Sequence, residues 1–149
     1  MDLRNRTPAA AGALAAGLLA EACRTAPDAP LGLRVVRDLA LDLERRLDAL
    51  SHPAGEDDLV EAALVCADLA TLAACNVSGL SDDGESLATA AVHLAAGSTR
   101  ALVALLEPRI GGLDETYAEN TLRDGRGALW RVDLAVRQIG ELRGDGAPG

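Results

Sequence analysis

Apolar residues recur along this chain with the spacing of helices. From about Leu33 to Ser51 an apolar position returns every three or four residues, and charged residues fill the positions between. This pattern predicts an amphipathic helix with one buried stripe and a solvated face. The stripe consists of Leu33, Val36, Leu39, Leu43, Leu47 and Leu50.

Helix-start signals place the other elements. Thr7 is a hydroxyl N-cap, and Pro8 follows it at the first helical position. Ser81 is a second hydroxyl N-cap, and it is followed by two acids in the first turn of its helix. The first four predicted helices run from Pro8 to about Arg24, from about Leu33 to Ser51, from Glu56 to Cys75 or Asn76, and from Asp82 to about Glu107. The last region is predicted to have a short helical piece from Asp114, a loosening at Gly125–Gly127, and a final helix from about Ala128 to Arg143.

Five helices with short connections predict an all-α fold, an antiparallel bundle that forms one domain over residues 1–149. Residues 1–6 and 144–149 are expected to be frayed.

The composition also favours an all-α fold. Aromatic residues make up only 1%, with Trp130, Tyr117 and no Phe, so the core has to consist of Leu, Val and many Ala. Trp130 is expected to be a packing anchor.

The net charge of −9 argues against a nucleic-acid partner, because such binding depends on cationic groups that neutralise phosphates. No run reaches the roughly 18 apolar residues of a membrane span, so no membrane partner is expected. The apolar start carries Asp2 and Glu21, which favours a core helix over a targeting segment.

Three cysteines, an odd number, lie in alanine-rich surroundings without metal-ligand spacing, and no metal is expected. They are Cys23, Cys66 and Cys75. Buried reduced thiols suit a cytoplasmic protein.

Asp68 is the only charge between Glu61 and Asp82. A carboxylate buried alone has to find a partner or raise its pKa, and a raised pKa suits a general acid or base. Helical spacing places Thr71, Cys75 and Asn76 on the same strip. The alternative is that Asp68 reaches solvent or pairs with an arginine from another helix.

His93 lies on a second polar strip, with Thr89, Gly97, Arg100 and Glu107. This strip could line a ligand site, form a subunit contact, or be exposed. One histidine on one helix does not make a metal site.

The segment Asn76–Gly84 has the sequence Asn-Val-Ser-Gly-Leu-Ser-Asp-Asp-Gly and precedes an alanine-rich helix that contains Gly97. It resembles the cyclodeaminase/cyclohydrolase family, which includes the cyclodeaminase half of formiminotransferase-cyclodeaminase and methenyltetrahydrofolate cyclohydrolase-like proteins. Over Thr7 to Val103 the helix order is similar too. The resemblance implies an all-helical homodimer that opens or closes a C–N ring on a one-carbon folate.

Two functions follow as hypotheses. The first is a metal-independent cyclase or cyclohydrolase that acts on a tetrahydrofolate derivative or on another small-molecule substrate in a biosynthetic cyclisation. Its predicted catalytic residues are Asp68 and His93, and its predicted substrate-binding residues are Thr71, Asn76, Ser81, Asp82 and Arg100, with Arg100 as the anion clamp.

The second hypothesis is a non-catalytic helical module that dimerises or binds a protein partner. An enclosed cavity of about 300 Å³ or more that touches Asp68 or His93 would favour the enzyme. Exposed or ion-paired strips around a solid Ala/Leu core would favour the module. Alanine-rich faces give one subunit a thin core, so a homodimer is expected in either case.

Overall fold

Every long element in the computed structural model of this protein is an α-helix. The structure describes residues 7–24, 31–142 and 144, and within these ranges the chain forms no strand. The all-α prediction is therefore confirmed. The helices are α1 (Pro8–Arg24), α2 (Leu31–Ala49), α3 (Glu56–Asn76), α4 (Asp82–Leu106) and α5 (Glu115–Leu142), with short 3₁₀ segments at Val77–Gly79 and Glu107–Gly112.

Hydroxyl caps begin two of the helices where the sequence predicts them. The Thr7 hydroxyl accepts a hydrogen bond from the Ala10 amide at 3.2 Å, and the Ser81 hydroxyl accepts one from the Gly84 amide at 3.2 Å. Each cap satisfies one amide that has no partner in the first helical turn. The start of α3 differs, because Gly55 provides no side-chain cap and the first turn instead carries three acids that favour the helix dipole.

Successive helices of the first four run antiparallel. The N-terminal ends of α1 and α3 meet the C-terminal ends of α2 and α4 around one apolar cavity of about 80 Å³. Helix α1 packs against α2 and α4, α3 packs against α4, and α5 lies over α3 and α4 on the outside of this four-helix bundle. The fifth helix therefore covers one side of the bundle and leaves the outer side of α1 uncovered.

Small side chains set the distance between these helices. Alanine is the most frequent buried residue. A Cβ added at Gly12 of α1 would lie 2.6 Å from the Cys66 sulfur of α3 and 3.2 Å from a methyl carbon of Leu47 in α2. Glycine at this position lets three helices approach closely.

The predicted loosening at Gly125–Gly127, between a short helical piece and the last helix, is wrong. Helix α5 continues through Gly125 and Gly127. A Cβ at Gly125 would lie 3.7 Å from methyl carbons of Val103, so this glycine is buried against α4. Packing of the helix outweighs the cost of about 1 kcal/mol that each interior glycine imposes.

Three further packing predictions need correction. Trp130 is 67% exposed and does not anchor the core, and Leu39 of the predicted stripe is 48% exposed. Cys23 and Cys66 are buried as expected, but Cys75 is exposed. The predicted fraying at 1–6 and 145–149 lies outside the described residues, while Gly144 forms a turn.

Two core helices also have the dimensions of membrane spans. Residues 56–79 and 82–112 are long and apolar enough by length and composition, which corrects the expectation that the chain has no such run. In each, 56% of the apolar window is buried inside the protein. The buried core helix of a folded bundle passes the same test of length and composition.

We expect Gly12→Ala to lower the free energy of unfolding by about 1–2 kcal/mol, because overpacking exceeds the gain in helix propensity. Gly127→Ala is the matched control, since no atom lies within 4 Å of its added Cβ. This control should raise the free energy of unfolding by up to about 1 kcal/mol. Urea unfolding measures both, and equal effects of the two substitutions would contradict the packing described.

Thiol chemistry should separate the three cysteines. Burial raises the pKa of the Cys66 thiol to about 12, and burial, opposed in part by the Arg37 charge, raises the pKa of Cys23. Since the thiolate is the reactive form, both should be inert at pH 8 in the folded chain. A disulfide reagent should modify only Cys75 before unfolding and all three cysteines in denaturant. Rapid modification of Cys66 in the folded protein would contradict its burial.

Candidate functional site

The first predicted site residue, Asp68, lies on the outer surface of α3. Its carboxylate accepts a hydrogen bond from the Arg131 guanidinium of α5 at 2.5 Å. The two side chains are 48% and 34% exposed. Asp68 is therefore not a carboxylate buried alone, because α5 brings an arginine from 63 positions further along the chain. This is the arrangement that the alternative interpretation described.

The other members of the α3 strip bond to their own helix. The Thr71 hydroxyl donates to the Ala67 carbonyl at 2.9 Å, and the Asn76 amide donates to the Leu72 carbonyl at 2.7 Å. Such bonds to the preceding turn are common for short polar side chains in helices. These groups lie along α3 without converging on one point with Asp68.

The α4 strip is exposed at its centre. His93 and Gly97 both lie in water, whereas Thr89, one turn before His93 on the same strip, is buried at 7% exposure. The Arg100 guanidinium donates to the Asp133 carboxylate of α5 at 2.8 Å. The predicted anion clamp therefore already holds a carboxylate from the same chain.

The turn that carries the family resemblance begins a helix. Ser81 caps α4, and the first turn of that helix holds exposed Asp82, whose backbone carbonyl accepts from the Ser86 hydroxyl at 3.3 Å. A concavity of about 90 Å³ lies beside this turn. It is lined by Val77, Glu85, Ser86 and Thr89, and so contains none of the predicted site residues.

Sequence reasoning missed the polar contacts that hold α5 on the bundle. Arg131 contacts α3 and Asp133 contacts α4, and the Tyr117 hydroxyl donates to the carboxylate of Asp57 in α3. Residues two apart on a helix lie on opposite flanks of it. The sequence signal for these contacts was the spacing of Arg131 and Asp133, which places one charged residue on each side of the buried stripe of α5.

Five concavities in the described residues have linings without the predicted proton-transfer groups, Asp68 and His93. Neither Asp68 nor His93 lines any of them. The largest of these five, about 350 Å³, is a shallow groove along α5 beside Arg123 and Arg126. Over residues 7–24, 31–142 and 144, no group of three His, Cys, Asp or Glu side chains could hold a metal ion.

We expect the Asp68–Arg131 pair to contribute at most about 1 kcal/mol, because both side chains contact water. A double-mutant cycle of Asp68→Asn and Arg131→Gln, followed by urea unfolding, measures this coupling. Arg46 and Glu61, 3.9 Å apart between α2 and α3, provide the control pair, whose coupling should be smaller still. A coupling near 3 kcal/mol at Asp68 would show that the carboxylate is desolvated.

Comparison with known proteins gives no family assignment for this chain. No protein-family model, no curated protein and no solved structure matches it. The resemblance of Asn76–Gly84 to the cyclodeaminase/cyclohydrolase family stays a prediction, and function has to be argued from the contacts of the chain itself.

Proposed function

We propose that this protein is a non-catalytic helical module that associates with a second copy of itself. The observation that carries the proposal is an outer surface of α1 and α4 with few charged residues, which we call the α1–α4 face. It consists of exposed or half-buried Leu14, Leu18, Ala90, Gly97, Ala104 and Leu105.

Charged residues are few along this surface, and Arg100, between Gly97 and Ala104 on α4, is paired with Asp133 of α5. Helix α1 has no ionisable side chain from Pro8 to Ala20, and α4 has only His93 between Leu87 and Thr99. Leu14 is 62% exposed and Leu105 is 47% exposed. Leucines in water on a face with few charges are typical of an interaction surface.

The negative net charge of the chain favours contact between two copies where charged residues are few. Each chain carries −9, so two copies repel over most of their surface. Contact through the α1–α4 face brings few carboxylates together, because the acids beside Leu14, Glu44 and Asp48, belong to α2 at the border of this face. The small residues Ala90, Gly97 and Ala104 would let helices of the two copies pack closely. A twofold contact is satisfied by one self-complementary surface of this kind.

The α1–α4 face is large enough for such a contact. Helix α1 has 17 residues and is therefore about 25 Å long at about 1.5 Å per residue. Two neighbouring helices, each about 10 Å across, give a footprint of about 500 Å² per copy. The total of about 1,000 Å² reaches the lower end of specific interfaces.

The contacts of the predicted catalytic groups support a module over an enzyme. Asp68 and Arg100 are paired with α5, and His93 lies in water outside the described concavities. General acid–base catalysis needs such groups within hydrogen-bond reach of an enclosed substrate. The cyclohydrolase hypothesis therefore rests on the Asn76–Gly84 resemblance alone.

Leu14→Glu should convert the protein to monomers, weakening dimerisation by about 100-fold or more, because each copy loses a buried leucine and gains a buried charge. Size-exclusion chromatography with light scattering measures the mass, and circular dichroism checks the fold. Leu31→Glu is the matched control, since Leu31 is 76% exposed on α2, away from the α1–α4 face. The proposal fails if the wild type is monomeric or if both variants dissociate alike.

Calorimetry with 5,10-methenyltetrahydrofolate tests the competing enzyme hypothesis, and the proposal expects no binding at high micromolar concentration. A saturable isotherm that Asp68→Asn abolishes in a folded chain would overturn the non-catalytic proposal. Flotation with phosphatidylcholine vesicles tests a membrane as the occupant of the α1–α4 face. Flotation of the wild type, lost in Leu14→Glu, would also overturn it.

A further inference from the structure

Trp130 projects from the outer surface of α5, on the side opposite the bundle. The buried residues of α5 recur every three or four positions and include Ala128, Val132 and Ala135. At 100° per residue, Trp130 lies about 180° from the centre of this stripe. It is the only tryptophan of the chain and is 67% exposed.

The surroundings of Trp130 are positively charged. Its neighbours one and two turns away on the helix surface are Arg123, Arg126, Gly127, Asp133, Leu134 and Arg137. Asp133 is neutralised by Arg100 of α4 at 2.8 Å. In the described part of the chain the ion pairs include none of the three arginines, all of which are exposed. A local excess of positive charge thus surrounds Trp130 on a protein of net charge −9.

An apolar contact and an anionic contact are available side by side. Leu134, one turn after Trp130, is 46% exposed and extends the apolar surface. Arg123 and Arg126 border the groove of about 350 Å³, together with Leu122 and the single acid Glu119. Tryptophan and arginine are the residues that most often dominate binding energy at protein interfaces.

We infer that the outer face of α5 docks an acidic amphipathic helix of another protein. Apolar side chains of that helix would cover Trp130 and Leu134, and its carboxylates would pair with Arg123, Arg126 and Arg137. A second copy of this chain fits less well, because a twofold contact centred on Trp130 sets arginines against arginines. Duplex nucleic acid is disfavoured by the net negative charge of the chain.

The sole tryptophan reports on this contact. The probe is a twenty-residue helical peptide with Leu at helical spacing and Glu elsewhere, and its twin carries Lys in place of Glu. Titration with the Glu peptide should shift the emission of Trp130 to shorter wavelength and saturate. The Lys twin should cause no shift, and raising the salt concentration should weaken binding of the Glu peptide.

Substitutions separate this surface from other parts of the chain. Arg126→Glu should weaken binding of the Glu peptide at least tenfold. The control, Arg45→Glu, changes an arginine that is 74% exposed on α2 and should leave binding unchanged. Leu14→Glu should also bind the peptide normally, so this result is independent of whether the α1–α4 face dimerises.

Three outcomes would overturn the inference. One is the absence of any shift with the Glu peptide, and another is equal binding of both peptides, which would show apolar adhesion only. The third is a blue shift of Trp130 that develops with protein concentration alone, because a second copy would then cover this face.

Discussion

The close approach of alanine-rich helices is the constraint on which the rest of this structure depends. At Gly12, three helices come so near that one added carbon would lie 2.6 Å from the sulfur of Cys66. A core of this kind is dense, and the described cavity at the end of the bundle is only about 80 Å³ and almost wholly apolar in lining. Among the described residues, consequently, no Asp, Glu, His or Arg side chain is buried in the core.

The fifth helix shows the effect of that exclusion. It covers α3 and α4 with a narrow stripe of small buried residues, and polar side chains on both of its flanks contact the bundle. Arg131 forms an ion pair with Asp68, and Asp133 forms one with Arg100, so both of these predicted site residues are paired with α5. Among the surfaces that remain in water are the α1–α4 face and the arginine-flanked Trp130.

Local sequence signals predicted the helices well. The caps at Thr7 and Ser81 form as expected, because a hydroxyl beside a free amide needs no distant partner. The predicted loosening at Gly125–Gly127 was wrong because Gly125 packs against Val103, a residue of another helix. The partner of Asp68 lies 63 positions away, so no local pattern could assign it.

Burial of individual side chains was harder to predict than the elements that carry them. Trp130 has a large apolar side chain, and Cys75 lies in an alanine-rich segment, yet both are exposed at the surface. Their exposure depends on where a helix is rotated against its neighbours, which the composition of the helix does not determine. For Asp68 and His93 the sequence identified unusual positions, but their roles stay predictions.

The central claim is that a thin alanine-rich core leaves the α1–α4 face to be covered by a second copy. Sedimentation equilibrium of the unaltered chain, over micromolar to millimolar concentrations and in the presence of reductant, tests this most directly. The account predicts a mass that rises to twice that of one chain and no further, as a closed twofold contact requires. A mass that stays at one chain throughout, or that grows without limit, would contradict it.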